Sequence, residues 1–470
     1  MRVTILQLGV LVLVAGSSAG CGREETAGPA AVDLEAANRH DADDEAIIVT
    51  NTAELVAALT PENAGRRIRL RAGSYPLTAP LVVPDSIALE GEGDMDFDGS
   101  GQPAGFAAGT ATTLSMTANV PGNILTLGHR SAVRRLQIID LAGRQGNAIG
   151  VLSRAPGDAI SARVAEVEIQ NPNPHAIIPA GPVGCGLVVL TQNPGLGAAP
   201  PPHEGASLAV RMSRSIVRSP ATGTGCGVFA FNFAAQGDVS VALTNNVIGG
   251  GIIANGGVSR TDAVHDASTR IYSVGNLYRD DSPNPCAAPH LGWNLLGGSG
   301  APVPLVLPET ARNSLRIQSI GDQISGFPIG IVGAGGRRFF AAPTAGATTG
   351  NTLELHLFRS TITTPACGGA PFVADLRLSG ASVASATLAP GDGNVLRATF
   401  VGVTGSGARA NAFANVLGPT GPLAAEFQGT GNQLEIAGTL NGFVRGNRSI
   451  EPLPAEEFFT GRRSREHDRD

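Results

Sequence analysis

The chain has 470 residues and a formal charge of −6; glycine supplies 63 of them and charged residues only 15%, against ordinary shares of about 7% and 25%. An apolar share of 42% suffices for a large core and excludes global disorder, while the acidic balance excludes a nucleic-acid partner. All 33 cationic side chains are arginines, which excludes a lysine base, a Schiff-base lysine and a P-loop.

The chain opens with Met1-Arg2, an apolar run through Val3, Ile5, Leu6, Leu8 and Val10-Leu-Val-Leu-Val14, and the small residues Ala15 to Gly20. A segment so short reads as an export signal over residues 1–20, not as a membrane span. Ser18-Ala19-Gly20-Cys21 resembles the lipobox of bacterial lipoproteins, which implies lipidation of Cys21. Ser18 stands where that family has leucine, so ordinary secretory cleavage stays open as an alternative. Gly22 follows in place of the aspartate that marks inner-membrane retention, so the resemblance implies an outer-membrane anchor facing periplasm or cell surface. Residues 21–46 are acidic and lack apolar periodicity, as expected of a flexible tether. The lipid is the only membrane contact expected.

From residue 47 short apolar strands alternate with glycine- and asparagine-rich turns. Asn51-Thr-Ala-Glu54 has capping-box spacing, and Leu55, Val56 and Leu59 follow before Pro61, which predicts a helix near residues 52–59. Ile68-Arg-Leu70, the turn Ala72-Gly-Ser-Tyr75, Leu81-Val-Val83 and Ile87-Ala-Leu89-Glu-Gly91-Glu-Gly93 come next. An amphipathic capping helix, an A-G-x-Y turn and an L-x-G-x-G exit resemble the N-terminal end of the pectate-lyase-like right-handed parallel β-helices.

The remainder supports the same architecture independently. Aliphatic strands follow glycine at Gly146, Gly184, Gly225 and Gly251, and alternating strands such as Val164-Ala-Glu-Val-Glu-Ile169 and Thr269-Arg-Ile-Tyr-Ser-Val274 take turns with them. A third group starts at Asn313, Asn351, Asn394 and Asn432, spaced 38, 43 and 38 residues apart. Recurrence at this period is the mark of a solenoid, whose units bury their apolar faces only by stacking. Asn246 before Val-Ile and Asn276 before Leu-Tyr occupy matching strand exits, where side-chain amides can form a ladder. The expected fold is all-β, a single-stranded right-handed parallel β-helix over residues 47–451 of about 10–13 coils, with a polar tail at 452–470.

Cys185, Cys226, Cys286 and Cys367 remain after the lipobox residue, an even number suited to two disulfides in an oxidising compartment. Cys185 and Cys226 share the frame Gly-Cys-Gly-aliphatic, so they occupy one position a coil apart, within disulfide reach. Cys286 with Cys367 is the remainder.

Candidate sites are few. Asp94, Asp96 and Asp98 precede Gly99 in a D-x-D-x-D-G string, a partial calcium loop whose twelfth position is Gly105, not the glutamate an EF-hand requires. A solvated acidic turn is the simpler reading; calcium is the one cofactor the string suggests, and the fold itself requires none. The densest polar cluster runs from 260 to 293, with Asp262, His265, Asp266, Tyr278, Arg279, Asp280, Asp281, His290 and Trp293. If it is catalytic, Asp280 and Asp281 supply carboxylates, His265 or His290 transfers a proton, and Arg279 steadies anionic charge. Tyr278, Trp293, Asp262 and Asp266 would then bind ligand. The adjacent aspartates resemble those of β-helical polygalacturonases, yet the G-H-G and R-I-K motifs of those enzymes are missing, as are the W-I-D-H and R-x-P-x-x-R patterns of classical pectate lyases. A third group, Arg134-Arg135 with Arg211, Arg214 and Arg218, offers forks suited to acidic glycans, or simply a solvated surface. These features predict an exported monomer that binds or scaffolds, with polysaccharide as the partner. A polysaccharide lyase or glycoside hydrolase using the 260–293 cluster is the alternative, and a passive envelope component the second alternative.

Overall fold

The computed structural model describes residues 46–107, 109–142, 146–170, 176–178, 181–191, 203–218, 225–259, 263–280, 282, 285–286, 291–300, 309–338, 348–365, 372–381, 393–406, 409–413, 433–438 and 443–445. A single α-helix, Thr52–Ala58, stands among these residues at the N-terminal end. The Asn51 side chain accepts a hydrogen bond from Glu54 N at 3.0 Å. Glu54 Oε2 in turn accepts from Thr50 N at 2.7 Å, so the return bond falls one residue before the cap. The helix buries Leu55 and Ala58, whereas Val56, expected on the same face, is 52% exposed.

Apart from a 3-10 turn at Pro61–Asn63 and the antiparallel pairs Met95–Phe97 with Pro103–Phe106 and Ala176–Ile178 with Gly181–Val183, the described elements are parallel strands stacked on one another. The first sheet runs through Ser131–Asp140, Ala159–Gln170, Ser207–Ser213, Asp238–Thr244, Ser268–Val274, Ser314–Ile320, Thr352–Phe358, Val395–Val401 and Gln433–Gly438. A two-residue corner leads to a second sheet of three-residue strands: Ile216–Arg218, Val247–Gly249, Leu277–Arg279, Gln323–Ser325, Thr361–Thr363 and Thr404–Ser406. The third sheet has twelve described strands, eleven stacked from Leu81–Val83 to Phe443–Arg445 and one, Val258–Ser259, pairing beside them with Leu291–Gly300. Parallel crossovers are right-handed in nearly all proteins, and the chain is a right-handed parallel β-helix with a capping helix.

The corner between the first and second sheets repeats a left-handed residue in coil after coil. Glu166, Arg214, Asn245, Gly275, Gly321, Arg359 and Gly402 all have φ between 48° and 66°. The residue after this corner turns inward, and there the ladder forms. Ser215 N donates to Asn246 Oδ1 at 2.9 Å, Asn246 Nδ2 to Asn276 Oδ1 at 2.9 Å, and Asn276 Nδ2 to Asp322 Oδ1 at 3.2 Å. A second ladder links Asn313, Asn351 and Asn394 through amide contacts of 3.0 and 3.1 Å. Buried backbone groups at these corners need partners, and the stacked amides supply them.

Cys185 and Cys226 are register partners joined by a disulfide with Cα atoms 4.5 Å apart. The glycines beside them have a steric cause: a Cβ on Gly227 would lie 2.1 Å from Ile248 Cγ2, and one on Gly186 2.5 Å from Val217 Cγ1. Only hydrogen fits where core side chains crowd the corner between the second and third sheets. Cys286 is also disulfide-bonded; its expected partner Cys367 lies outside the described residues.

Candidate ligand-binding face

The three sheets offer different outer surfaces. That of the third sheet is apolar and buried over several coils, with Val188, Leu190, Phe229 and Phe231 packed beside the disulfide. That of the second sheet is partly covered by the hairpin of Met95–Phe97 and Pro103–Phe106, whose Gln102 Nε2 donates to Gly275 O at 2.9 Å. The first sheet keeps an open outer face, because strict alternation sends every second side chain of its strands outward.

Four columns run along that face, the first of them Asp238, Ser268, Ser314, Thr352 and Val395. The third places Arg163, Arg211, Ala242, Tyr272, Gln318 and His356 in register on successive strands, at ~4.8 Å per coil. Tyr272 is 43% exposed. Burial lowers the pKa of His356, with nearby Arg316 and Arg397 acting in the same direction against Glu354. To one side, Arg270, Arg316, Glu354, Arg397 and Glu435 form a charged ladder. Its contacts are Arg316–Glu354 at 3.7 Å, Arg397–Glu354 at 3.4 Å and Arg397–Glu435 at 2.8 Å, while Arg270 pairs with Asp238 at 2.5 Å. To the other side, Val274, Ile320, Phe358 and Val401 are register neighbours in an apolar strip.

The 260–293 cluster is divided by the coil. His265 and Asp266 stand at the corner before Ser268–Val274, while Arg279 and Asp280 stand beyond that strand and the next corner. A seven-residue strand alone spans on the order of 20 Å. Asp266 accepts from Arg312 Nε and Nη2, both at 2.8 Å, and its Oδ2 lies 3.0 Å from His265 Nδ1. The Arg312 fork, with His265 adding to it, holds the Asp266 carboxyl at a pKa of about 2, so this group is a fixed anion. Asp280 Oδ1 accepts from Ser282 N at 2.9 Å, capping the next turn. Asp262, Asp281 and His290 lie outside the described residues.

Tyr278 and Trp293 are both fully buried and meet edge to face with centroids 5.3 Å apart. Register explains this: Tyr278 occupies the inward position of Ile248 and Ile324, and Trp293 that of Ile252 and Ile331. They are core residues, and neither reaches a surface ligand. Burial pushes the Tyr278 hydroxyl well above its ordinary pKa, and its oxygen lies 2.6 Å from Ser273 Oγ. Beside them Asp322 accepts from Asn276 N at 2.7 Å and Ser319 Oγ at 2.6 Å. Burial nevertheless raises its pKa.

The acidic string is not gathered into a cation site. Asp98 Oδ1 accepts from Ser100 N, Ser100 Oγ and Gln102 N at 2.7 to 3.0 Å, so it shapes the hairpin turn. Asp94 lies 3.7 Å from Arg135, and Asp96 is exposed. Among the described residues no group of three or more His, Cys, Asp or Glu side chains converges to hold a metal. Of the arginines, Arg134 and Arg135 share the buried Glu90 at 2.8 and 2.5 Å, Arg214 pairs with Glu166 at 2.5 Å, and Arg218 with Glu168 at 2.6 Å. Arg134, in register through Ala165 with Ser213, and Arg211 are the members of that set on the outer face of the first sheet.

No family model matches the sequence, and no curated protein matches it. The chain is similar to several solved structures. The catalytic unit of a thermostable GH87 alpha-1,3-glucanase from Streptomyces thermodiastaticus is 12% identical, with 85% of this chain and 70% of that chain covered and a TM-score of 0.33. The A-module of the Azotobacter vinelandii mannuronan C-5 epimerase AlgE4 is 12% identical, with coverage of 85% and 100% and a TM-score of 0.38. That of AlgE6 from the same organism is 12% identical, with coverage of 85% and 94% and a TM-score of 0.33. Among the described residues no helix is long and apolar enough to cross a membrane.

Proposed function

We propose that the protein is an exported β-helix that binds a glycan laid along the coil axis on the outer face of the first sheet. The observation that carries this reading is the third column, which sets Arg211, Tyr272 and His356 in one line. A tyrosine ring offers an apolar face for sugar stacking with a polar edge. Arginine and glutamine on neighbouring coils offer hydrogen bonds to hydroxyls or acids. Binding is favoured over catalysis because the Asp266 carboxyl is held by Arg312 while Asp280 stands at another corner. The Cys185–Cys226 disulfide supports an oxidising compartment, and a lipid on Cys21 with the acidic tether would hold the domain at the outer membrane.

Affinity electrophoresis of the full chain in gels carrying neutral and acidic polysaccharides tests this. We expect retardation by at least one glycan and about tenfold weaker retardation for Tyr272→Ala, without release of sugar fragments. No retardation by any glycan overturns the reading. Depolymerisation that disappears in the Asp280→Ala, Asp281→Ala variant would establish the lyase or hydrolase alternative instead.

A further inference from the structure

We infer that Tyr272, Val274, Gln318 and Ile320 form a subsite for a neutral 6-deoxyhexose residue, whose methyl group lies on Val274 and Ile320. The inference rests on the glycan-binding reading and names the sugar that the face selects. Register makes the four residues a square: Tyr272 pairs with Gln318 and Val274 with Ile320 across the strands Ser268–Val274 and Ser314–Ile320. Its sides are ~4.8 Å along the coil axis and ~6.8 Å along the strands, the scale of one pyranose ring. Tyr272, Val274 and Ile320 are 43%, 39% and 40% exposed. A single exposed apolar side chain is ordinary, whereas three at adjacent positions of one sheet make a patch suited to a ligand.

The surroundings keep the square open and neutral. Ala242 precedes Tyr272 in its column, so the ring has a short neighbour on that side. Past Ile320 the chain turns at Gly321, where an added Cβ would meet nothing within 4 Å. On the charged side Arg270 is paired with Asp238 at 2.5 Å and Arg316 with Glu354 at 3.7 Å. The nearest cations already have carboxylate partners, so an acidic sugar gains little from them. The square has a polar edge and an apolar one. Along the first, the Tyr272 hydroxyl and the Gln318 amide have no hydrogen-bond partner among the described residues, which leaves them for ring hydroxyls while the tyrosine ring takes the apolar face of the sugar. Along the second, chemistry selects the substituent. An ordinary hexose sets a hydroxymethyl group over Val274 and Ile320, and its hydroxyl gives up water there without gaining a partner. A 6-deoxyhexose sets a methyl group there and buries it against two aliphatic side chains.

Isothermal titration of the full chain compares two linkage-matched pairs, D-mannan with D-rhamnan and amylose with 6-deoxyamylose, and takes carboxymethyl dextran as an acidic probe. In at least one pair the deoxy member should bind about fivefold more tightly. The Val274→Thr, Ile320→Thr variant keeps the branched shape and adds hydroxyls; it should abolish that preference while the parent glycan still binds. Tyr272→Ala should instead weaken both members alike. Val82→Thr, at a position 62% exposed on the third sheet, should leave the preference intact, and circular dichroism of each variant verifies folding. Equal affinity within both pairs, or a preference that survives the double threonine variant, overturns the subsite. Self-association in sedimentation velocity that Tyr272→Ala abolishes would assign the patch to a second copy of the chain and overturn it too. Binding of carboxymethyl dextran without any neutral glycan overturns this inference alone, whereas binding of none of the five overturns the glycan reading as well.

Discussion

Asn276→Ala removes the centre of the buried ladder. In the native coil the Asn276 oxygen accepts from Asn246 N and Asn246 Nδ2, both at 2.9 Å, and its amide donates to Leu243 O at 3.0 Å and Asp322 Oδ1 at 3.2 Å. Alanine leaves the Asn246 backbone N–H without its acceptor. The Asn246 amide keeps one bond, to Met212 O at 3.1 Å, and the Leu243 carbonyl loses a donor. Each buried polar group left unsatisfied costs about 1–3 kcal/mol, so the variant should lose roughly 3–5 kcal/mol. The neighbouring residue is the control: Asn245 is exposed at the left-handed corner with φ 51°. Glycine adopts that backbone without strain, so Asn245→Gly should shift stability by less than about 0.5 kcal/mol. Urea denaturation followed by circular dichroism measures both. An Asn276→Ala loss under about 1 kcal/mol, or one equal to that of Asn245→Gly, would refute the argument that the ladder satisfies otherwise stranded corner groups.

Asp322 titrates against the fold: its raised pKa means that its stabilising contribution is complete below the unfolded value and is lost as pH rises through the folded one. Asp322→Asn should therefore be more stable than the native chain at pH 7 by about 1–3 kcal/mol, and the gap should close towards pH 4; a gap independent of pH contradicts this. The Cys185–Cys226 bridge closes a sequence separation of 41 residues, and loop entropy assigns it about 4 kcal/mol. The Cys185→Ala, Cys226→Ala variant should denature at correspondingly lower urea, and an unchanged midpoint would show that the bridge does not stabilise the coil. Arg312→Gln should lift the Asp266 carboxyl from about 2 towards the ordinary aspartate range, which a carbon-detected NMR titration reads directly; an unmoved titration would show that Arg312 is not the cause.

The coil architecture was largely legible because each unit writes the same short grammar. Alternation marked the first-sheet strands, the Gly-Cys-Gly frame placed Cys185 over Cys226, and Asn246 and Asn276 announced the ladder. The same alignment carried information about the site that a linear reading passes over. Matching Asn246-Val-Ile with Asn276-Leu-Tyr puts Tyr278 at the inward position of Ile248, which removes it from any groove. In Ile271-Tyr272 the alternation points Tyr272 outward. Density along the chain is not density in space here, since one coil carries its residues around three sheets. Asp266 meets Arg312 across 46 residues, while its sequence neighbours in the polar cluster face a different corner. The open face draws one residue from each of several strands, so no local window displays it.

The decisive property is whether a ligand lies along the coil axis. The column from Arg163 to His356 covers five register steps, about 24 Å at ~4.8 Å each. Titration calorimetry with size-fractionated oligosaccharides of D-rhamnan and of carboxymethyl dextran measures this reach. Affinity should climb with chain length until the ligand spans the column and level off beyond it. Affinity already complete with a single sugar unit, or unchanged across the series, would contradict a glycan laid along the first sheet.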